Sequence, residues 1–174
     1  SRASEFADTK ASVLGDYVAS KLEMEEGEVP LFMTVTADYR GYMLFFYQNG
    51  KCAKIPLASY MTKQNRRKLL KAYSDKEELA AMLHIEEETE LAVFTSGGTG
   101  GPRLILVGSA LIPEKATRDT AGINMVTLKK NARIAKVRPA AGLELKDPHR
   151  YRVRTLPAAG ALLRQEDTTE QMSL

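Results

Sequence analysis

The sequence predicts an all-β fold, arranged as a propeller-like array of about two and a half small antiparallel blades. Two observations lead to this prediction. A pattern of apolar runs and glycine turns occurs twice along the chain, and each run has the composition and length of a short strand. Units of roughly 50 residues that each form a small antiparallel sheet are typical of radially repeated β architectures.

The repeat is visible when residues 42–50 (YMLFFYQNG) are laid over residues 90–98 (ELAVFTSGG), at an offset of 48. Further along, Asn65-Arg66 aligns with Thr117-Arg118 and Ile85 aligns with Val137, both at an offset of 52. The longer turn formed by the glycine-rich stretch 97–102 accounts for the difference between these two offsets. Residues 28–36 resemble residues 79–84, so the chain is predicted to begin with half a unit. The predicted units are a partial blade at 1–36, blades at 37–89 and 90–138, and a tail at 139–174.

Three short runs, one just ahead of the first copy and two within it, are predicted to be strands. Residues 31–36 mix aromatic and β-branched side chains, and residues 42–47 form a denser apolar run. Asn49-Gly50 follows as a strong hairpin signal, because both residues tolerate positive φ. Residues 51–57 then alternate lysine with small or apolar residues until Pro56 ends the ladder.

The second copy repeats this layout. Residues 91–95 are predicted to pair across the glycine-rich turn with residues 104–107, and residues 125–128 to form a hairpin with residues 134–137. Residues 77–83 also contain good helix formers, but their repeat partner favours a strand. Open sheet edges and an exposed apolar face are expected, which indicates missing neighbours or self-association. From Pro157 onward the tail is predicted to be poorly ordered.

Composition narrows the class of protein. Apolar residues make up 44% and charged residues 27% of the chain, as in ordinary globular proteins. No apolar stretch approaches the roughly 20 residues of a membrane-spanning helix, and no signal-peptide pattern is present. Cys52 is the single cysteine, so the chain suits a reducing compartment and a cytoplasmic location is expected.

The net charge of +3 conceals strong segregation. Residues 51–76 carry eight basic side chains against Asp75 alone, whereas residues 77–90 carry six acidic side chains and no lysine or arginine. Residues 103–138 again carry eight basic side chains, against Glu114 and Asp119. Clustered lysine and arginine indicate a polyanionic partner, although a solvated surface of mixed charge gives the same pattern.

Several segments resemble the C-terminal domain of the A subunit of bacterial type IIA DNA topoisomerases, DNA gyrase and topoisomerase IV. In that family an apolar strand, a glycine turn, a basic strand and an arginine-containing segment follow one another. Residues 45–51 (FFYQNGK) and 53–57 (AKIPL) fit this order, and residues 112–123 (IPEKATRDTAGI) are more similar still. The resemblance covers residues 28–138 as full units and residues 1–27 as part of one.

The resemblance implies a β-pinwheel, a propeller variant whose blades exchange strands, with a basic rim that binds and bends duplex DNA without reading its sequence. The implied partners are duplex DNA, the remainder of the topoisomerase A subunit and its ATPase subunit, with self-association through open blade edges also possible. The glycines of the gyrase wrapping box are absent from residues 64–70, which argues against strong wrapping. The predicted DNA-binding residues are Lys54, Lys63, Arg66, Arg67, Lys68, Lys71, Lys115, Arg118, Lys129, Lys130 and Arg133. Arg150, Arg152 and Arg154 are further candidates for a basic strand or a phosphate contact.

Catalysis, metal binding and cofactor binding find little support in the sequence. His84 and His149 lie far apart without ligand spacing, and the tyrosines fall where packing residues are expected. Residues 97–102 lack the Lys-Ser/Thr ending of a phosphate loop, and the acidic residues 86–90 indicate an exposed turn more than a cation site. No cofactor is expected. The alternative function is a propeller-like module for protein–protein interaction.

Overall fold

The structure is a computed structural model, and it describes residues 3–62 and 69–167 of the chain. These residues form eight β-strands and very little helix. The strands are β1 (Tyr42–Tyr47), β2 (Lys51–Pro56), β3 (Leu79–Ile85), β4 (Glu90–Gly97), β5 (Arg103–Gly108), β6 (Ile123–Asn124), β7 (Ala132–Pro139) and β8 (Ala161–Leu162). The helices are α1 (Val18–Lys21) and 3-10 turns at Ala3–Glu5, Leu57–Tyr60, Ser109–Leu111, Pro148–Arg150 and Gln165–Asp167. Within the described residues no helix has the length and apolarity to cross a membrane.

The strands form two four-stranded antiparallel sheets, which we call blade 1 and blade 2. Their orders are β3-β1-β2-β6 and β7-β4-β5-β8. The ladders are superimposable: Tyr42 pairs with Pro56 in blade 1, and Glu90 pairs with Gly108 in blade 2. Both central strands also carry a β-bulge at the same position, after Phe46 and after Phe94. The predicted all-β fold of repeated antiparallel blades is therefore confirmed.

Each blade is completed by a strand from further along the chain. Strand β6 lies between β5 and β7 in sequence, yet it pairs with β2 of blade 1. Strand β8 follows β7 and pairs with β5 in the same way. We call residues 114–124 the first exchange segment and residues 152–162 the second. Each reaches back to the blade before it, so the architecture is a propeller variant with exchanged strands.

The two exchange segments make matching contacts. The Lys115 N–H donates to the Lys54 carbonyl at 2.9 Å, and the Val153 N–H donates to the Leu106 carbonyl at 3.0 Å. Lys54 and Leu106 are equivalent residues of β2 and β5, opposite Leu44 and Ala92. The second exchange segment is thus a third copy of this part of the repeat, at an offset of 38 residues. The half unit that pairs into a sheet is therefore the second exchange segment, at the C-terminal side of the chain.

A glycine with positive φ precedes each exchanged strand, Gly122 before β6 and Gly160 before β8. A β-carbon at Gly122 would lie 2.0 Å from the Cys52 carbonyl oxygen, and one at Gly160 would lie 2.9 Å from the Leu104 carbonyl oxygen. Cys52 and Leu104 occupy equivalent positions in the two ladders. Glycine is needed here both for the backbone conformation and for the close approach of two backbones.

The largest apolar core lies between the two blades. The side chains of Leu44, Phe46 and Cys52 from blade 1 meet those of Val93 and Ile105 from blade 2. Each large side chain buried in this way contributes about 2 kcal/mol to folding. The outer faces of the blades are covered too: Tyr60 and Tyr73 pack over blade 1, and residues 140–163 pack over blade 2. The apolar face expected to be open on the sheets is closed by the chain itself.

The prediction of a strand at residues 31–36 is wrong. This segment belongs to neither sheet, and Leu31, Met33 and Val35 are each at least 60% exposed. A strand is stable only when its backbone groups pair with a neighbour, and neither blade offers this segment a ladder. Residues 3–41 as a whole pack little, with α1 tied to the preceding segment by the Lys21 ammonium and the Glu5 carbonyl at 2.8 Å.

Three other predictions are corrected by the backbone pairing. Residues 125–128 do not form a hairpin with β7, because the Met125 and Val126 N–H groups donate to the Gly50 carbonyl. The structural counterpart of Ile85 is Ala140 and not Val137. Ile85 pairs with Tyr42, and the Ala140 N–H donates to the carbonyl of Glu90, the residue equivalent to Tyr42. The tail is ordered into β8 and its flanks as far as Asp167, and residues 168–174 lie outside the described part.

Replacing Gly122 by alanine tests the close approach that joins the blades. We expect Gly122→Ala to lower the free energy of unfolding by about 2 kcal/mol or more, because positive φ and the Cys52 carbonyl both oppose a β-carbon. Gly142→Ala is the matched control: Gly142 also has positive φ, but only the Arg138 side chain, at 3.9 Å, lies near its would-be β-carbon. Urea denaturation measures both variants. Equal losses would show that φ alone, and not the contact, matters at Gly122.

Candidate nucleic-acid interface

The first basic surface lies where the first exchange segment passes the end of blade 1. The Arg118 guanidinium donates to the Ser59 carbonyl at 3.2 Å and lies 5.9 Å from the centre of the Tyr60 ring. The Lys71 ammonium lies 3.8 Å from an Asp119 carboxylate oxygen. We call this surface the loop corner, and its residues line a shallow hollow: Ser59, Leu70, Lys71, Ala116, Thr117, Arg118 and Asp119. Lys115 is exposed beside it.

Packing fixes the loop corner through its aromatic ring. Tyr60 ends the 3-10 turn Leu57–Tyr60 after β2, and its hydroxyl donates to the Ala72 carbonyl at 2.7 Å. Burial raises the pKa of the Tyr60 phenol, and the nearby Arg118 charge only partly offsets this. The phenol therefore stays neutral at physiological pH and remains a hydrogen-bond donor. Arg118 is held by a carbonyl and a ring face, contacts that leave its charge uncompensated.

The second exchange segment carries a cation one residue beyond the counterpart of Lys115. The Val153 N–H makes the same backbone contact as the Lys115 N–H, so Val153 is the structural counterpart of Lys115. The exposed Arg154 is the next residue. Arg152 is engaged differently, since its guanidinium contacts both carboxylate oxygens of Glu90, at 2.7 and 3.2 Å. Of the three arginines at 150–154, Arg152 is thus an ion-pair partner within blade 2, while Arg150 and Arg154 face solvent. The loop corner and Arg154 thus place cations on two successive exchange segments.

A second basic surface, the turn corner, lies at the opposite end of the strands. Lys129, Lys130 and Arg133 are exposed there. They lie beside the glycine-rich turn, where a β-carbon at Gly98 would come within 2.3 Å of the Lys130 carbonyl oxygen. A strand of six residues spans roughly 17 Å, so the two corners are separate surfaces. The predicted set of residues is therefore divided between two ends of the blades.

Lys54 must be removed from the predicted DNA-binding residues. Only 3% of it is exposed, and its ammonium pairs with a Glu88 carboxylate oxygen, donates to the Ser109 carbonyl at 3.1 Å and lies 4.2 Å from the Tyr42 ring centre. The Ser109 hydroxyl donates to the other Glu88 oxygen. A charge enclosed in this way cannot reach a phosphate. It joins β2 to the segments that flank β4 and β5.

The other predicted residues are only partly placed. Lys71 lies in the loop corner beside Asp119, as given above. Four residues of the predicted basic loop lie outside the described part of the chain, so their places on this surface stay a prediction: Lys63, Arg66, Arg67 and Lys68. The nearest resemblance to the wrapping box, residues 64–70, is likewise outside it except for Leu69 and Leu70.

The acidic turn before β4 is used for ion pairs. Glu86 contacts Arg40 at 3.2 Å, Glu88 contacts Lys54, and Glu90 contacts Arg152. Within residues 3–62 and 69–167, no three histidine, cysteine, aspartate or glutamate side chains lie together as a metal site would require. His84 is engaged in structural hydrogen bonds, its Nδ1 2.9 Å from the Thr34 hydroxyl and its Nε2 3.3 Å from the Arg40 carbonyl oxygen. These groups therefore hold the fold together.

The sequence reading missed the repetition of the exchange segment. The signal was present as Ala121-Gly122 before β6 and Ala159-Gly160 before β8. Because each exchanged strand has only two residues, apolar periodicity does not reveal it. The glycine pair, combined with the 38-residue offset, would have placed Arg154 next to the counterpart of Lys115.

The fold and the two basic corners define a propeller-like module of strand-exchanged blades. No protein-family model matches this sequence, and no curated protein matches it. Several solved structures share its fold, and two of them are C-terminal domains of topoisomerases. The C-terminal domain of DNA topoisomerase IV superposes with a TM-score of 0.72 and 18% identity, over 92% of this chain and 53% of that chain. The DNA gyrase A C-terminal domain superposes with a TM-score of 0.60 and 15% identity, over 84% of this chain and 52% of that chain.

At these identities the comparison establishes the fold, which is that of the type IIA topoisomerase C-terminal domains. The predicted structural resemblance is therefore confirmed, including a partial β-pinwheel built from antiparallel blades. The chain spans about half the length of each of these two structures.

The Lys54–Glu88 pair gives a pH-dependent prediction. Partial burial alone would raise the pKa of Glu88, but the hydrogen bonds from Lys54 and Ser109 and the Lys54 charge lower it overall. A lowered folded-state pKa contributes stability above the unfolded-state pKa, and this contribution disappears as pH falls through the folded-state pKa. Glu88→Gln should therefore reduce stability at pH 7, and its difference from the natural protein should shrink in acid.

Urea denaturation between pH 7 and pH 3 measures this difference. Glu87→Gln is the matched control, because Glu87 is exposed on the same turn and its substitution changes net charge equally. A difference between the natural protein and Glu88→Gln that stays constant across this range would contradict the proposed role of the pair.

Proposed function

We propose that this chain is a DNA-binding accessory domain of a type IIA topoisomerase A subunit, which binds and bends duplex DNA without reading base sequence. The observation that carries the proposal is the placement of cations on matching exchange segments: the exposed Lys115 and the partly exposed Arg118 lie on the first, and the exposed Arg154 lies on the second. Cations repeated at blade spacing suit a partner whose charges are also repeated, such as the phosphate backbone of DNA.

The chemistry of the loop corner favours phosphate over base contacts. Arg118 and Lys115 stand on a loop held by backbone hydrogen bonds, and lysine or arginine contacts of this kind position a duplex without carrying sequence information. Neither exchange segment presents a helix or a two-stranded ribbon that would enter the major groove. Any sequence preference of this domain should therefore come from the bendability of the DNA.

The distribution of charge favours the loop corner over the turn corner. Before β7 the turn corner carries Lys129 and Lys130, but the segment before the equivalent strand β3 carries Asp75, Glu77 and Glu78 against Lys76 alone. A duplex lying along the turn ends of both blades would meet positive and then negative charge. Along the two exchange segments the four cations Lys115, Arg118, Arg152 and Arg154 outnumber the carboxylates Glu114 and Asp119. We therefore place the DNA against the exchange segments.

The proposed partners follow from the fold. Two of the solved structures that share this fold are C-terminal domains of DNA topoisomerase IV and DNA gyrase A. For this chain we propose the corresponding parent, a topoisomerase A subunit whose other domains carry out DNA cleavage and whose ATPase subunit hydrolyses ATP. In the proposed cycle this domain holds a DNA segment near the cleavage core, in the cytoplasm.

Removing exposed cations from the two exchange segments tests the proposal. The variant Lys115→Gln/Arg154→Gln should bind a duplex of about 30 base pairs more weakly at low salt. Each lost phosphate contact lowers the slope of log K against log salt by roughly 0.9, so the slope should fall by up to about 2. Fluorescence anisotropy at several salt concentrations measures both quantities.

The matched control is Lys10→Gln/Lys76→Gln, which removes the same net charge from exposed positions outside the exchange segments. It should leave the salt slope nearly unchanged. Undetectable binding of the natural chain at low salt would reject the DNA proposal in favour of a protein-interaction module.

The turn corner gives a separate prediction. Lys129→Gln/Lys130→Gln should lower the salt slope less than Lys115→Gln/Arg154→Gln, because Glu77 and Glu78 before β3 repel a duplex that runs on to blade 1. The same anisotropy titration makes the comparison. A larger effect at the turn corner would move the DNA to the opposite end of the blades.

A further inference from the structure

The arginine of the loop corner rests on the ring of Tyr60. The Arg118 guanidinium carbon lies 5.9 Å from the ring centre, within the range of a cation–π contact, and one guanidinium nitrogen donates to the Ser59 carbonyl at 3.2 Å. The Asp119 carboxylate, next in sequence, is engaged with the Lys71 ammonium at 3.8 Å. Arg118 is therefore held by neutral groups, and its remaining N–H donors are available to an anion.

The ring itself is fixed from behind. The Tyr60 hydroxyl donates to the Ala72 carbonyl at 2.7 Å, and the ring packs with Tyr73 against the outer apolar cluster of blade 1. Tyr73 in turn stacks on Phe45 of β1, with the ring centres 5.6 Å apart. A guanidinium seated on the Tyr60 ring is thus supported by the packed outer face of blade 1.

The second exchange segment has leucines in place of this pair. Arg118 corresponds to Leu156 at the 38-residue offset, and Leu156 packs against the core between the blades. Tyr60 ends the 3-10 turn after β2, whereas Leu111 ends the 3-10 turn after β5. Blade 2 therefore accepts its exchanged strand with leucine at both positions. Since the fold does not require the ring and the guanidinium, their pairing at blade 1 indicates a role in binding.

The described residues contain a second cation–ring contact, which has a structural role. Lys54 lies 4.2 Å from the Tyr42 ring centre, but its ammonium is enclosed and pairs with Glu88. Arg118 differs because it is partly exposed and its two contacts, a carbonyl and a ring face, leave its charge unneutralised. Of these two cations, only Arg118 can therefore reach a phosphate.

We propose that Tyr60 is a positioning residue for DNA, whose ring holds the Arg118 guanidinium in place for a phosphate and makes the first exchange segment the anchor of the bound duplex. The inference rests on the proposed function and adds to it a difference between the two exchange segments. A long side chain loses rotamer freedom when it binds a phosphate, and this loss lowers affinity. Arg118 is already restricted before DNA binds, whereas no ring of the described residues holds the exposed Arg154.

A double-mutant comparison in the 174-residue chain tests this proposal. Fluorescence anisotropy with a duplex of about 30 base pairs, at several salt concentrations, gives the affinity and the salt slope. Arg118→Gln should lower both, with a fall in slope of roughly 0.9 for one lost phosphate contact. Tyr60→Leu should lower the affinity roughly 3- to 10-fold and leave the slope unchanged, because the charge stays and only its positioning is lost. In the Arg118→Gln background, Tyr60→Leu should have no further effect.

Conservative substitutions provide the controls. Tyr60→Phe keeps the ring and loses only the hydroxyl, so its affinity should remain close to that of the natural chain. Arg118→Lys leaves the packing of Tyr60 on blade 1 untouched and keeps the charge, but an ammonium does not stack as a planar guanidinium does. It should lower the affinity more than Arg154→Lys, the same exchange at an exposed arginine without a ring. Urea denaturation of every variant identifies those that are folded.

The outcomes separate this proposal from the proposed function. Undetectable binding of the natural chain at low salt would reject both. Salt-dependent binding by the natural chain, with an equal affinity for folded Tyr60→Leu, would overturn the positioning role alone. A loss in Tyr60→Leu that persists in the Arg118→Gln background would show that the ring contacts DNA itself. A loss in Arg118→Gln no larger than that in Arg154→Gln would overturn the anchor.

Discussion

The contact between backbones at Gly122 and Gly160 is the constraint on which the rest of the structure depends. Strands β6 and β8 have two residues each, so their ladders contribute few hydrogen bonds. Their pairing is possible because the chain before them lies directly against the carbonyls of Cys52 and Leu104, an approach that a β-carbon would block. Once the first exchange segment is seated on blade 1, β7 can return to β4, and the two sheets enclose a single apolar core.

The sequence predicts those parts of the fold that are determined locally. Strands β1, β2, β4 and β5 are long enough for alternation and turn chemistry to identify them, and Asn49-Gly50 sets the first hairpin. Strand pairing across blades is not local. The apolar composition of residues 31–36 predicts a strand, but whether a strand forms depends on a neighbour that the described chain does not supply. The ordered tail was missed for the same reason, since β8 is stabilised by β5 rather than by its own sequence.

In the candidate site, too, the sequence predicts some features, and others depend on how distant residues pack. Clusters of lysine and arginine were found by counting, and Lys115, Arg118, Lys129, Lys130 and Arg133 are surface residues or partly exposed, as a binding role requires. Counting cannot distinguish a surface cation from a buried one. Lys54 is enclosed because Glu88, 34 residues away, and Ser109, 55 residues away, converge on it when the blades pack. The acidic run 86–90 likewise has a structural role, since its carboxylates balance Arg40, Lys54 and Arg152.

This division of charge connects the architecture to the proposed function. Ion pairs within the fold neutralise most of the acidic turn, whereas the exposed cations stand on the exchange segments that join one blade to the next. Each exchange segment carries the glycine that fixes its path and, a few residues before it, the cations that we place against DNA. The distance between successive cations is therefore set by blade packing and not by loop flexibility. A substitution at Gly122 should consequently weaken DNA binding even though it removes no charge, because it displaces Lys115 and Arg118 relative to Arg154.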